Sequence, residues 1–160
     1  MFGRILQLVH AAGLTGSSIE IAAGSRHWSK GCERFGFDPV VSHDIIYNDE
    51  MDLKLPQYVS QQCDDAARCR YCVGHVGVCC TTFSTFANPP YRCATNELHP
   101  EWIIALPNLS QKKRTKALEA NMTCDNAVSI LESWHGSGML ASLENLHNPM
   151  IWQYMEWTGP

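Results

Sequence analysis

The stretch from Ser17 to Asp44, SSIEIAAGSRHWSKGCERFGFDPVVSHD, constrains the fold more than any other part of the chain. An apolar run from Ser17 to Ala23 leads directly into the small residues Gly24 and Ser25. A helical pattern then runs from Arg26 to Phe35 and is stopped by Gly36. A second strand pattern, Asp38 to Asp44, follows with its proline only at the edge. Strand, helix and strand within about 30 residues make a βαβ unit, and such a unit joins parallel strands through a right-handed crossover.

The alternation continues. A polar, acidic turn from Tyr47 to Asp52 precedes a helix expected over 56–70, with Pro56 at a helix-starting position. VGHVGVC, Val73 to Cys79, reads as a third, buried strand. After a proline-containing stretch from Thr81 to Ser110 comes the longest periodic segment, Gln111 to Trp134. Its expected inner face is Leu118, Met122, Ala127, Ile130, Leu131 and Trp134, and Gly136 and Gly138 end it. MLASLEN, Met139 to Asn145, is the fourth strand, and PMIWQYMEW a closing helix. Ahead of all this, MFGRILQLVHAAG places Phe2, Ile5, Leu6 and Val9 at helical spacing, which predicts a short lead-in helix ended by Gly13. The expectation is an α/β fold, Rossmann-like and doubly wound, with a mainly parallel sheet flanked by helices. The 160 residues suit a single domain with its core over 17–152.

Composition narrows the functional classes. Hydrophobic residues at 45% and charged residues at 18% describe a folded protein and exclude a disordered one. Twelve basic against 16 acidic side chains leave a net charge of −4, so any contact with nucleic acid must be local. The best such patch is QKKRTK, Gln111 to Lys116. Eight cysteines could suggest disulfides, but the first residues lack a secretion-signal pattern and no apolar run reaches the roughly 20 residues of a membrane span. A cytoplasmic protein with reduced thiols and no membrane partner is expected. The glycosylation sequons at Asn108 and Asn121 then carry no meaning.

In doubly wound sheets, ligands bind where strands end and helices begin, so Gly24, Asp44 and Cys79 are expected to converge on one crevice. Ala23, Gly24 and Ser25 let a ligand approach the backbone beside a helix N-terminus. Asp44 follows Gly24 by about 20 residues, the distance at which an acidic residue pairs with ribose hydroxyls in nucleoside-binding folds. An Asp capping a turn accounts for the same residue.

These residues carry a resemblance. EIAAGSRHWSKGCERFGFDPVVSHDI resembles the first two motifs of S-adenosylmethionine-dependent methyltransferases. VGVCCTTFS is similar to the PCxxFS loop of the cytosine carbon-5 DNA methyltransferases, and LENLHNPMIW to the ENP segment of their short phage and virus relatives. The motifs follow in the family's order over residues 18 to 152. Arg26 stands where the family usually has a second glycine, Cys79 where it has the proline before the nucleophile, and Leu146 where it has the proline of ENP.

The resemblance implies S-adenosylmethionine as cofactor and DNA as substrate. Glu20, Ala23, Gly24, Ser25 and Trp28 would line the methionine end of the cofactor site. Asp44 would hold the ribose, and Ile45 and Asp52 would border the adenine. It implies Cys80 as the nucleophile that adds to carbon 6 of a flipped cytosine. Glu144 would be the acid that bonds the base ring, Asn145 would orient the loop, and Arg92 is a candidate cation to favour the thiolate.

Other readings compete for the same residues. Asn88, Pro89, Pro90 and Tyr91 spell NPPY, the loop of amino methyltransferases acting on adenine or cytosine, although it stands well beyond the strand end. Cys63, Cys69, Cys72 and His75 supply soft ligands for zinc but only one CxxC. Free core thiols are the plainer expectation for them. A non-catalytic protein of the same fold, associated with a nucleoside or with DNA, is the alternative to an enzyme.

Overall fold

The computed structural model describes residues 16–78, 81–84, 90–93, 98–144 and 149–158. The expected lead-in helix lies outside these residues, as do Cys79, Cys80, Asn88, Pro89, Asn145 and Leu146. The described residues gather into two compact units, one of those within 16–77 and 126–144 and one of those within 78–125 and 149–158.

The first unit is an α/β layer built on a four-stranded, all-parallel sheet, with strands β1 (Ser18–Ile21), β2 (Val40–His43), β3 (Val73–Gly77) and β4 (Leu140–Glu144) in the order β2-β1-β3-β4. Helix α1 (His27–Arg34) links β1 to β2, and α2 (Pro56–Ala67) links β2 to β3. The last part of α3 (Gln111–Gly136) leads into β4. Pairing puts Ser18, Glu20, Val73 and His75 on one side of the sheet, where Trp28, Cys32 and Phe37 complete an apolar cluster with Val73. Ile19, Ile21 and Val76 belong to the other side, where Tyr58 of α2 reaches His43 and Trp134 of α3 lies over Gly74. Helices thus cover both faces. From β1 the chain steps one way to β2 and then back past β1 to β3, so the winding reverses between β1 and β3.

The second unit is organised around a buried arginine. Arg92 Nε donates to the Thr82 carbonyl at 3.0 Å, Nη1 to the Ile103 carbonyl at 3.0 Å and to Asn121 Oδ1 at 2.7 Å. Nη2 donates to Thr82 Oγ1 at 2.9 Å and the Ala117 carbonyl at 3.3 Å. The guanidinium also lies 3.6 Å from the centre of the Phe83 ring, a favourable cation–π placement. Phe83 meets Tyr154 of α4 (Pro149–Thr158) edge to face, and the Tyr154 hydroxyl donates to Asp125.

Two expectations are corrected here. The inner stripe of α3 runs through Ala117, Asn121, Cys124, Ala127, Ile130 and Trp134, while Leu118 and Met122 are 44% and 49% exposed. The stripe keeps one helical phase, and Asn121 takes the inner position because Arg92 needs its carbonyl oxygen, so the more apolar neighbours face outward. Cys69 and Cys72 are exposed and Cys63 only half-buried, whereas Cys32 and Cys124 are the core thiols among the described residues. Burial pushes both core thiols up to about 12, so they stay protonated and inert.

Candidate functional site

A cleft of about 460 Å3 opens in the first unit beside the ends of β1 and β3. This is where the winding reverses, the position at which open α/β sheets hold their ligands. Gly77 lets the two strand ends close up there, since a Cβ on it would stand 3.2 Å from the Ala22 carbonyl oxygen. Glu20, the loop from Ala22 to Ser25, Trp28, His75 and Glu144 are among the lining residues.

Glu20 is 5% exposed. Its Oε2 accepts from the Ser29 N–H at 2.9 Å and from the Ser29 hydroxyl at 2.5 Å. Ser29 lies in the first turn of α1, whose preceding residue, Arg26, provides no side-chain cap. The strand therefore supplies the anion that the helix N-terminus lacks. Among the described residues no donor reaches Oε1 of Glu20, which leaves one oxygen of a buried carboxylate for the cleft.

His75, which the sequence offered only as a metal ligand, stands beside Glu20 on the neighbouring strand. It is buried, stacks on Trp28 with ring centres 5.3 Å apart, and has Ser142 Oγ 2.9 Å from Nδ1. Its Nε2 lies 3.4 Å from Oε2 of Glu144, whose side chain is 60% exposed. Burial lowers the imidazole below its ordinary 6.5, with Glu20 and then Glu144 pulling the other way. The signal that could have found it is a titratable residue in the middle of an apolar strand, which Glu20 shares. Such groups are rarely buried without partners.

The loop between β1 and α1 is strained and self-satisfied. Ala22, Gly24 and Arg26 have φ of 56°, 48° and 58°, so two non-glycine residues hold a conformation that favours glycine. Arg26 thus occupies a glycine-like backbone position. Its side chain bonds Ser42 and Glu33 and is not part of the cleft lining. The N–H groups of Ala23, Gly24 and Arg26 are given to the His43 carbonyl, Asp44 Oδ2 and the Ala23 carbonyl. These three donors are committed inside the protein and so are not offered to a ligand phosphate.

The other expected site residues are placed differently. Asp44 is buried and accepts from the Gly24 N–H at 2.7 Å and the Ile46 N–H at 2.9 Å, tying two loops together outside the cleft lining. Ile45 is exposed, and Asp52 bonds the N–H of Lys54, so neither borders the cleft. Arg92 belongs to the second unit, with all five N–H groups occupied. Cys63, Cys69, Cys72 and His75 are not brought together: among the described residues no group of three or more His, Cys, Asp or Glu side chains is arranged to hold a metal ion. No described helix is long and apolar enough to cross a membrane.

The lining combines two carboxylates (Glu20, Glu144), two imidazoles (His27, His75), the Arg34 guanidinium and the Trp28 indole in a volume suited to a small molecule. Its Glu20 end can hold a cationic or donor-rich group, with Arg34 elsewhere in the lining. Compared with protein-family models, curated proteins and solved structures, the chain matches none.

Proposed function

We propose that the chain is an S-adenosylmethionine-dependent DNA methyltransferase of the cytosine carbon-5 type, with the cofactor held in the cleft at the ends of β1 and β3. The observation that carries the reading is Glu20. A buried carboxylate with one oxygen capping α1 and the other lacking a protein donor, in the wall of a cleft at the reversal point, suits the positively charged methionine end of that cofactor. Trp28 supplies an aromatic wall, and Glu144 stands at the open rim. When bound, the cofactor supplies an electrophilic methyl group. Cys80 would add its thiolate to carbon 6 of the flipped base with Glu144 bonding the ring, carbon 5 would take the methyl group, and loss of the carbon 5 proton to solvent would break the C6–S bond and return the thiolate. The basic run Lys112 to Lys116 contacts the DNA backbone.

A second reading, a non-catalytic nucleoside- or DNA-associated protein of the same fold, draws on Asp44. Its carboxylate already accepts two loop N–H groups where a ribose-binding role calls for an accessible acid.

Calorimetry with S-adenosylmethionine and with its demethylated product tests the cofactor site, and no heat with either sinks the enzyme reading. Heat without methyl transfer to DNA selects the second. A Cys80→Ser variant that keeps full transfer excludes the covalent route and favours the NPPY loop.

A further inference from the structure

Strand β4 is the least covered part of the sheet. Every residue of β1 is buried, as is all of β3 except Gly77, and the other edge strand, β2, is half-buried throughout. In β4 no residue is buried: Leu140, Ala141 and Glu144 are exposed, and Ser142 and Leu143 half-buried. Parallel strands are ordinarily covered on both faces, and free edges are ordinarily guarded by proline, charge or a bulge. The run from Leu140 to Leu143 has no proline and no charge, and its register against β3 is unbroken. The backbone shows which groups this edge offers. The Leu140 N–H bonds the Cys72 carbonyl at 3.1 Å, so Leu140, Ser142 and Glu144 turn their main-chain groups toward β3, and Ala141 and Leu143 turn theirs outward. Among the described residues nothing pairs with those outward N–H and C=O groups, which makes the edge a template for another strand.

We propose that β4 pairs antiparallel with β4 of a second copy of this chain, about a twofold axis at Ser142. Centring the pair there sets Ala141 opposite Leu143 on both sides of the axis, so each outward N–H meets an outward C=O. The charge pattern agrees. Glu144 falls opposite Leu140, and the two Glu144 carboxylates stay apart, whereas a parallel, in-register pair would set them side by side. Leu140, 45% exposed, gains the aliphatic part of the facing Glu144 as a neighbour. Ser142 and Glu144 share a side of the sheet with Glu20 and His75, and a twofold through an antiparallel pair keeps that side in common. The two Glu20 clefts then open on one face of a continuous sheet. The inference stands on the strand edge and does not rest on the methyltransferase reading.

The test combines sedimentation velocity of the full chain over a concentration series with amide hydrogen exchange at both ends of that series. A short edge buries less than a standard interface, so association in the micromolar range or weaker is expected. Sedimentation should pass from monomer to dimer, and the Ala141 and Leu143 amides should exchange more slowly in the dimer. Ala141→Pro removes an outward donor and leaves the ladder to β3 untouched, so it should melt close to the natural protein and dimerise about tenfold or more weakly. A monomer at every concentration leaves the edge to another occupant and overturns the proposal. A dimer whose Ala141 and Leu143 amides gain no protection, or one that Ala141→Pro leaves intact, places the interface elsewhere and overturns it as well. Exchange is read on the natural protein, so that outcome does not depend on the variant folding.

Discussion

Replacing Glu20 by leucine and by glutamine separates its part in the fold from its part in the cleft. Leucine removes the acceptor of two hydrogen bonds, at 2.9 and 2.5 Å, and leaves the Ser29 N–H buried at the start of α1. The Ser29 hydroxyl keeps a neighbour, Ser42 Oγ at 2.7 Å. The loss is then chiefly one charge-assisted bond and one orphaned donor, about 3 kcal/mol together. Glutamine retains a carbonyl oxygen for the Ser29 N–H and loses only the charge, about 1 kcal/mol. For a chain of this size each kcal/mol moves the melting temperature by roughly 2–4 °C. The leucine variant is expected to melt roughly 6–12 °C lower and the glutamine variant roughly 2–4 °C lower, followed by far-UV circular dichroism. Cofactor binding orders the variants differently. Glutamine already removes the negative charge facing the cleft, so S-adenosylmethionine should bind it about tenfold or more weakly by calorimetry. A leucine variant as stable as the natural protein refutes the capping argument. A glutamine variant that binds the cofactor equally well refutes the placement of the cofactor's charged end.

Other perturbations reach different parts of the molecule. A Cβ at position 74 would stand 2.2 Å from Cζ3 of Trp134 and 2.6 Å from Cε of Met139, so Gly74→Ala should cost about 1–3 kcal/mol or more in urea denaturation; an unchanged midpoint would mean that Trp134 is not seated there. Arg92→Met strips five acceptors of their donor and should cost about 3 kcal/mol or more. Arg92→Lys should recover little of it, because three ammonium donors cannot span that fork, and a fully stable lysine variant would show that the hub is not directional. Burial lowers the folded-state pKa of His75 and of His43 below 6.5, so the unfolded chain binds more protons just below that pH. Stability should be complete above 6.5 and fall as pH drops through it, by up to about 1.4 kcal/mol per unit for His75, levelling off below the folded pKa. His75→Gln should flatten that slope, and an unaltered slope would exclude His75 as its source.

The elements of the first unit were legible because their boundaries are local. Gly36 and Pro56 punctuate the chain through backbone geometry that needs no distant partner, and the four strands form inside the expected runs. Strand ends were less sharp: β3 pairs to Gly77 and leaves Val78 of the expected run outside it, because pairing depends on how far β1 and β4 extend beside it. Asp44 shows the limit for the site. Its distance in sequence from Gly24 fits either a ribose ligand or a loop tie, and only the contact with the Gly24 N–H distinguishes them.

By itself the sequence determined an alternation of apolar strands and helices, and with it parallel pairing, since a chain that crosses over by a helix returns in the same direction. It also marked the small residues at the first strand end. The tertiary structure alone decided the order β2-β1-β3-β4, and so which strand ends flank the cleft. It turned Asn121 inward to meet Arg92, and it brought His75 against Trp28 and Glu144. Those outcomes rest on contacts between residues far apart in the chain. Their energies come from burial and from the pairing of buried polar groups, and neither can be read from neighbours along the sequence.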